Sequence, residues 1–285
     1  MTHVIQPSHQ TVITSLVTEW IVPRAEETYL RLANSGSKGT YLEDLYQRLK
    51  DVDGAGKLVL DFYGTTHPHA LNTALKSLQN LDVLKDLSLT SCCLGLEKAL
   101  FQSLCELLPS CKNMTKIDLS NNGMTKTHIR DLTLAFIKCP SLTSLKLSFN
   151  TLDDSISDSI GTILENCANL SHLYLSSCLL TKRFTDNLNH HHLNRLTLLD
   201  LSYNRLGIHG MGTTLKGLQN SASIKNLLLD GCAKQFKEGD LQKCRDCISD
   251  FIEKTRSLNL EEISITNNKG LGSMFPDLCP YIKTK

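Results

Sequence analysis

At 285 residues, 41% hydrophobic and 21% charged, the chain can bury a large core as one domain. Thirty basic residues against 29 acidic ones leave a formal net charge of +1, so no global field draws it to nucleic acid or to an anionic membrane. No uninterrupted apolar run approaches the roughly 20 residues of a membrane helix. Thr11 to Val22 is only moderately apolar, carries Glu19 and lacks a preceding basic stretch, so it does not read as a secretory signal.

Residues 1–54 carry no repeat and read as helices, for example Ala25 to Ala33 and Tyr41 to Leu49, broken by Ser35-Gly36-Ser37-Lys38-Gly39. They are expected to form a helical N-terminal cap, with a small separate recruitment domain as the alternative. Residues 55–285 are expected to form one repeat domain. Leu58-Val59-Leu60 aligns with Leu87-Ser88-Leu89 of the first full copy, Leu84-x-x-Leu87-x-Leu89-x-x-Cys92-x-Leu94. Four more full copies start at Met114, Leu142, Leu170 and Leu196, spaced 30, 28, 28 and 26 residues apart. Two weaker copies start at Ile224 and Leu260, with Lys234 and Gly270 where the last apolar residue belongs. The 36 residues between those two starts predict an enlarged repeat near 233–256. Eight strands follow in all, and degenerate outer units fit the need to cover the open ends of a stacked core.

Within a copy, alternation puts positions four and six inside and the residues between them on the other face. Position nine, which is Asn122, Asn150, Asn204 and Asn268 in four copies, faces inward and must satisfy its amide on neighbouring turns. Cys92, Cys178 and Cys232 take the same slot as small, weakly polar substitutes. Between strands, Ile156, Ile160, Ile163, Leu164 and Cys167 form one apolar stripe of a helix, which Asp153 or Asp154 is placed to cap. Leu100, Leu104, Leu107, Leu108 and Cys111 repeat that spacing one unit earlier. Strands stack about 4.8 Å apart and packed helices about 8–10 Å, so strands inside and helices outside predict a curved horseshoe.

The repeat resembles the leucine-rich repeat, and a period near 28 with a true helix resembles its ribonuclease-inhibitor-like subclass. The resemblance spans roughly residues 55–275. It implies an α/β solenoid with parallel strands on the concave face, helices on the convex face and a protein partner on the concave side. The chain also resembles the short stand-alone repeat proteins that intracellular bacterial pathogens deliver into host cells. A cytoplasmic protein is expected, and the resemblance to these delivered proteins implies one secreted into the host cell cytosol.

Catalytic and metal-binding patterns are weak. Six of the eleven cysteines fall into repeat columns (Cys92, Cys178, Cys232 and Cys111, Cys139, Cys167), which reads as packed, reduced thiols. Cys244-x-x-Cys247 lacks a second pair, and three adjacent histidines, His190 to His192, cannot all face one ion. Phosphate loops and hydrolase signatures are missing. Asp118 and Asp200 share one repeat position but lie three strand gaps apart, roughly 14 Å, too far for a paired-carboxylate mechanism at about 5–9.5 Å. A non-enzymatic chain with no cofactor or metal is expected.

The remaining candidate is the concave face, lined by positions three, five, seven and eight. Position seven is nearly all small. Phe149, Tyr174 and Tyr203, from three successive repeats, should cluster there within about 10–15 Å among serines and aspartates. Lys146 and His172 lie beside them, with Asp118 and Asp200 flanking. Aromatic anchors ringed by small polar residues predict a protein-binding hot spot on a monomer. The local alternative folds Phe149 and Tyr203 over the loop at the strand end. Two other readings stay open: an adaptor recruiting a ubiquitin ligase through residues 1–54, and a GTPase-activating protein of the Ran type using Arg130, Arg183 or Arg205.

Overall fold

The computed structural model describes residues 27–31, 57–61, 68–78, 84–188, 190–233, 238–255, 260–268 and 282–283. They fall into two compact units: Met1–Gly123 with Leu134–Leu142, and Met124–Thr133 with Thr143–Lys285. In the first unit, strands β1 (Glu27–Arg31), β2 (Lys57–Asp61), β3 (Leu84–Ser88) and β4 (Lys116–Asp118) pair in chain order and in parallel. Helix α1 (Pro68–Ser77) and helix α2 (Lys98–Leu107) provide the crossovers that parallel pairing requires.

The second unit follows the same rule. Its strands β5 (Ser144–Lys146), β6 (His172–Tyr174), β7 (Leu198–Asp200), β8 (Asn226–Leu228), β9 (Glu262–Ser264) and β10 (Ile282–Lys283) also pair in parallel and in order. They alternate with α4 (Ser157–Asn166), α5 (Lys182–Asn187), α6 (Gly207–Leu218) and α7 (Glu238–Thr255), while α3 (Lys126–Phe136) precedes β5. This is the leucine-rich repeat architecture, and the eight expected strands are β2 to β9. Among the described residues, no helix is long and apolar enough to cross a membrane.

Two expectations need correction. Within Ala25 to Ala33, Glu27–Arg31 is a strand and not a helix. Thr28, Tyr29 and Leu30 suit a strand, and β2 offers them an open ladder, a tertiary influence that local helical pattern cannot reveal. The rest of the expected cap, Tyr41 to Leu49 included, lies outside the described residues. The second correction concerns β2, where Leu60 and not Leu58 pairs with Leu87, after a register shift at Leu58/Val59. A two-residue slip keeps every side chain on its own face, so alternation alone does not distinguish the two registers.

Positions four and six are buried in every turn from β3 to β9, from Leu87 and Leu89 to Ile263 and Ile265. Each such side chain contributes roughly 1.5–3 kcal/mol of apolar burial. The helix stripes also pack inward: Leu100, Leu104, Leu107, Leu108 and Cys111 are buried, and so are Ile156, Ile160, Ile163, Leu164 and Cys167. Asp153 caps the 3-10 turn Asp154–Ile156 by accepting from the Ser155 N–H, whereas Asp154 accepts from the N–H and hydroxyl of Thr181. The enlarged repeat holds α7, which buries Cys244, Ile248, Phe251 and Ile252 and exposes Lys243, Arg245 and Asp246.

Position nine ties consecutive turns together. The Asn204 amide donates to the carbonyls of Leu175 and Leu201, and its oxygen accepts from the N–H groups of Cys178 and Leu180. Asn122 makes the equivalent four bonds to Leu89, Leu119, Cys92 and Leu94. Asn268 donates to Leu229 and Ile265 and accepts from Ala233. At the thiol turns, Cys178 and Cys232 donate to the carbonyls of Leu147 and Leu201, the position-six carbonyl of the preceding turn. Burial pushes both thiols up to about 12, so they stay protonated donors. Asn204→Ala leaves buried backbone groups of two turns without partners. It should therefore cost about 3 kcal/mol in chemical denaturation, well above the cost of Cys178→Ala, which removes one weak donor.

Candidate protein-binding face

On the sheet face of the second unit the side chains form rows. Row three is Ser144, His172, Leu198, Asn226 and Glu262, and row five is Lys146, Tyr174, Asp200, Leu228 and Ser264. Six of the seven predicted site residues lie on this unit: Lys146, Phe149, His172, Tyr174, Asp200 and Tyr203. Asp118 belongs to the first unit. Lys146 Nζ sits 5.3 Å from the Tyr174 ring centroid, a cation–π pair between adjacent strands. His172 Nδ1 lies 2.9 Å from the Ser171 hydroxyl.

The two aspartates have a local task. Asp118 accepts from the Ser120 N–H at 3.0 Å, and Asp200 accepts from the Ser202 N–H at 2.9 Å, each closing the end of its own strand. Burial raises the Asp200 carboxyl above its ordinary value. Ser202 opposes that rise and Asp230 adds to it. Asp230 serves the next turn by accepting from the Ser264 hydroxyl and the Thr266 N–H.

Position eight carries a feature that alternation does not predict. Ser91, Asn121, Phe149, Ser177, Tyr203, Gly231 and Asn267 all adopt left-handed backbone, with φ between 52 and 59. For Gly and Asn this conformation is common, but for an aromatic residue it is rare and costs about 1–2 kcal/mol. Phe149 is nonetheless 58% exposed and Tyr203 53% exposed. Two large apolar side chains thus occupy strained backbone without the compensation of a core. The positive φ recurs in every turn of the row, so the repeat imposes it, and the exposed aromatic side chains are what set these two turns apart.

Tyr203 does fold partly along its own row. A Cβ on Gly231 would come within 2.7 Å of the Tyr203 ring, so glycine there serves both the left-handed backbone and the ring's position. The Tyr203 hydroxyl accepts from the Asn267 amide at 2.9 Å. The local reading therefore accounts for one face of this ring, and the exposed remainder stays open to a partner. Sequence reasoning missed Leu179, 47% exposed with φ 63, on the turn between Phe149 and Tyr203. Its neighbour Leu180 is the core residue, and the Leu-Leu pair hid the outward one.

Elsewhere the described residues offer little chemistry. Cys244 is buried and its thiol pushed up to about 12, while Cys247 is half-buried with its sulfur facing Gly212. Arg130 pairs with its neighbour Asp131, and Arg183 and Arg205 are exposed.

No family model matches the chain. A 219-residue stretch is 26% identical to Tonsoku-like protein of Danio rerio, covering 71% of this chain and 15% of that protein. The chain therefore spans about 15% of the length of that relative. Among solved structures, a tropomodulin C-terminal domain from Caenorhabditis elegans is 14% identical, with a TM-score of 0.37 over 67% of this chain and 97% of that one. Leiomodin-1 actin-binding site 2 is 18% identical, with a TM-score of 0.42 over 55% and 92%. The TLR13–ssRNA13 complex is 19% identical, with a TM-score of 0.46 over 77% and 30%.

Two outcomes follow from this geometry. Phe149→Gly should raise stability by about 0.5 kcal/mol, as relief of left-handed strain outweighs the greater unfolded-state entropy of glycine; thermal denaturation reads it. For Asp200, a raised folded-state value means a contribution that is present below the unfolded value near 4 and lost as pH rises through the raised one. Asp200→Asn keeps an acceptor for Ser202, so it should be more stable than the parent at pH 7. That gain should vanish near pH 3, as a denaturation series across pH will show.

Proposed function

We propose that this chain is a non-catalytic binding module whose sheet face in the second unit takes a partner protein. The observation that carries this reading is the pair Phe149 and Tyr203: exposed aromatics held in left-handed backbone on alternate turns of one parallel sheet. Aromatic anchors amid small polar residues are the composition of interface hot spots. Tyr174, held under Lys146, supplies a third aromatic surface beside them, with His172 in the neighbouring row.

The proposal extends to location. Buried, protonated thiols such as Cys178, Cys232 and Cys244 suit a reducing compartment, so we place the protein in a cytosol. The resemblance to proteins delivered by intracellular bacteria enters here as the further proposal that the partner is a host protein. The adaptor and GTPase-activating readings gain no specific observation from the geometry.

Affinity capture from a eukaryotic lysate with the intact chain, beside a Phe149→Ala/Tyr174→Ala/Tyr203→Ala variant, tests the proposal. The partner should be retained by the intact chain and weakened by more than about 2 kcal/mol, roughly thirtyfold, in the variant. Equal retention by both would remove the face from consideration.

A further inference from the structure

We propose that Asn122 is a site of spontaneous covalent modification, at which the side-chain amide is lost by ring closure on the Gly123 nitrogen. Glycine after asparagine favours this reaction, because no Cβ hinders the attacking nitrogen. Asn122-Gly123 is the one Asn-Gly pair in the sequence. Its backbone differs from that of the other asparagine turns. Asn150 and Asn204 precede Thr151 and Arg205, whose N–H groups are tied to the carbonyls of Met124 and Leu180 at 2.9 and 2.7 Å. Among the described residues, the Gly123 N–H holds no hydrogen bond. Gly123 is exposed, with φ 64, and a Cβ built on it would meet nothing within 4 Å. Asp230-Gly231 lacks this freedom, since the Gly231 N–H donates to the Thr266 carbonyl at 2.8 Å. The nucleophile is thus untied and unhindered at Asn122 alone of these turns.

The electrophile, by contrast, is held. Asn122 is 2% exposed, and its Nδ2 donates to the carbonyls of Leu89 and Leu119 at 2.8 and 2.9 Å. Its Oδ1 accepts from the N–H groups of Cys92 and Leu94 at 2.8 and 3.3 Å. Ring closure requires the amide to leave these partners, so opening of this turn gates the reaction. The Gly123 nitrogen then bonds to Cγ of Asn122 and gives up its proton, while Nδ2 departs as ammonia. Water opens the cyclic imide at either carbonyl. Attack at Cγ yields aspartate, and attack at the main-chain carbonyl yields isoaspartate, with the chain continued through Cβ and Cγ. Neither product can donate to Leu89 and Leu119 as the amide did. Isoaspartate also lengthens the backbone of the turn by one methylene. The residue that ties β3 and β4 turns together is therefore the one exposed to loss with age.

The test incubates the intact chain beside a synthetic peptide of residues 117–126 at mildly alkaline pH. Trypsin releases the same segment from the chain, after Lys116 and Lys126, and an unincubated sample corrects for conversion during digestion. Mass spectrometry counts amides replaced by carboxyls, and fragmentation distinguishes Asn122 from Asn121 and isoaspartate from aspartate. When the free peptide is fully converted, about one chain in a hundred should be modified at Asn122, with isoaspartate among the products and Asn150 and Asn204 intact. Conversion below about one chain in a thousand would overturn the site, and conversion matching the peptide would overturn the gate. Aspartate without isoaspartate would overturn ring closure in favour of direct hydrolysis. Equal conversion at Asn150 or Asn204 would overturn the role of Gly123. Asn122→Asp, which makes one product directly, should lower the thermal midpoint; an unchanged midpoint would overturn the structural consequence.

Discussion

The inward polar residue at position nine is the constraint on which the other features depend. Each described turn from β3 to β9 buries leucine or isoleucine at positions four and six, but apolar burial alone does not fix how one turn sits on the next. The amide does. Asn204 satisfies donors and acceptors on two turns at once, and a buried amide left unmade would cost several kcal/mol. At the turns of Cys178 and Cys232 the thiol keeps the contact to the position-six carbonyl of the preceding turn but has no amide oxygen to accept from backbone N–H groups. The ladder thus continues through weaker rungs.

Bringing position nine inward right after position seven has a geometric consequence. The residue between them must turn the chain within one step, and in every described turn from Ser91 to Asn267 it does so with positive φ. Asn121, Gly231 and Asn267 accept that conformation at little cost. Phe149 and Tyr203 accept it only because the ladder on either side of them leaves no alternative. The stability of the array is thereby converted into display: two aromatic side chains are held outward in fixed places, with Leu179 between their turns. Preorganised anchors lose little entropy on binding, which is why a rigid edge is a better recognition surface than a loop carrying the same residues.

Much of this was readable in the residues. The strands β3 to β9 follow from Leu spacing, because period-two burial and a fixed repeat length reinforce one another. The inward asparagines follow from the same register. β1 was not readable, since Thr28 to Leu30 becomes a strand only when the ladder of β2 is present to pair with it. The slip at β2 was hidden because two residues restore the same face. The left-handed row left a trace in Gly231 and in Asn121 and Asn267, residues tolerant of positive φ, but the aromatics in the same row masked it. Phe149, Tyr174 and Tyr203 were legible as a face. The covering of Tyr203 by Gly231 and Asn267, and the outward turn of Leu179, depend on side-chain placement that no repeat pattern specifies.

The central claim is that the ladder holds Phe149 and Tyr203 outward in left-handed backbone. The most direct measurement is the sign of φ at these two residues in solution, from three-bond couplings of the amide proton and the α-proton in isotopically labelled protein. Positive φ at both, matching Ser177 and Gly231 in the same row, is the predicted result. Negative φ at Phe149 and Tyr203 beside positive φ at Gly231 would contradict it, because the aromatic turns would then have escaped the constraint that is held to display them.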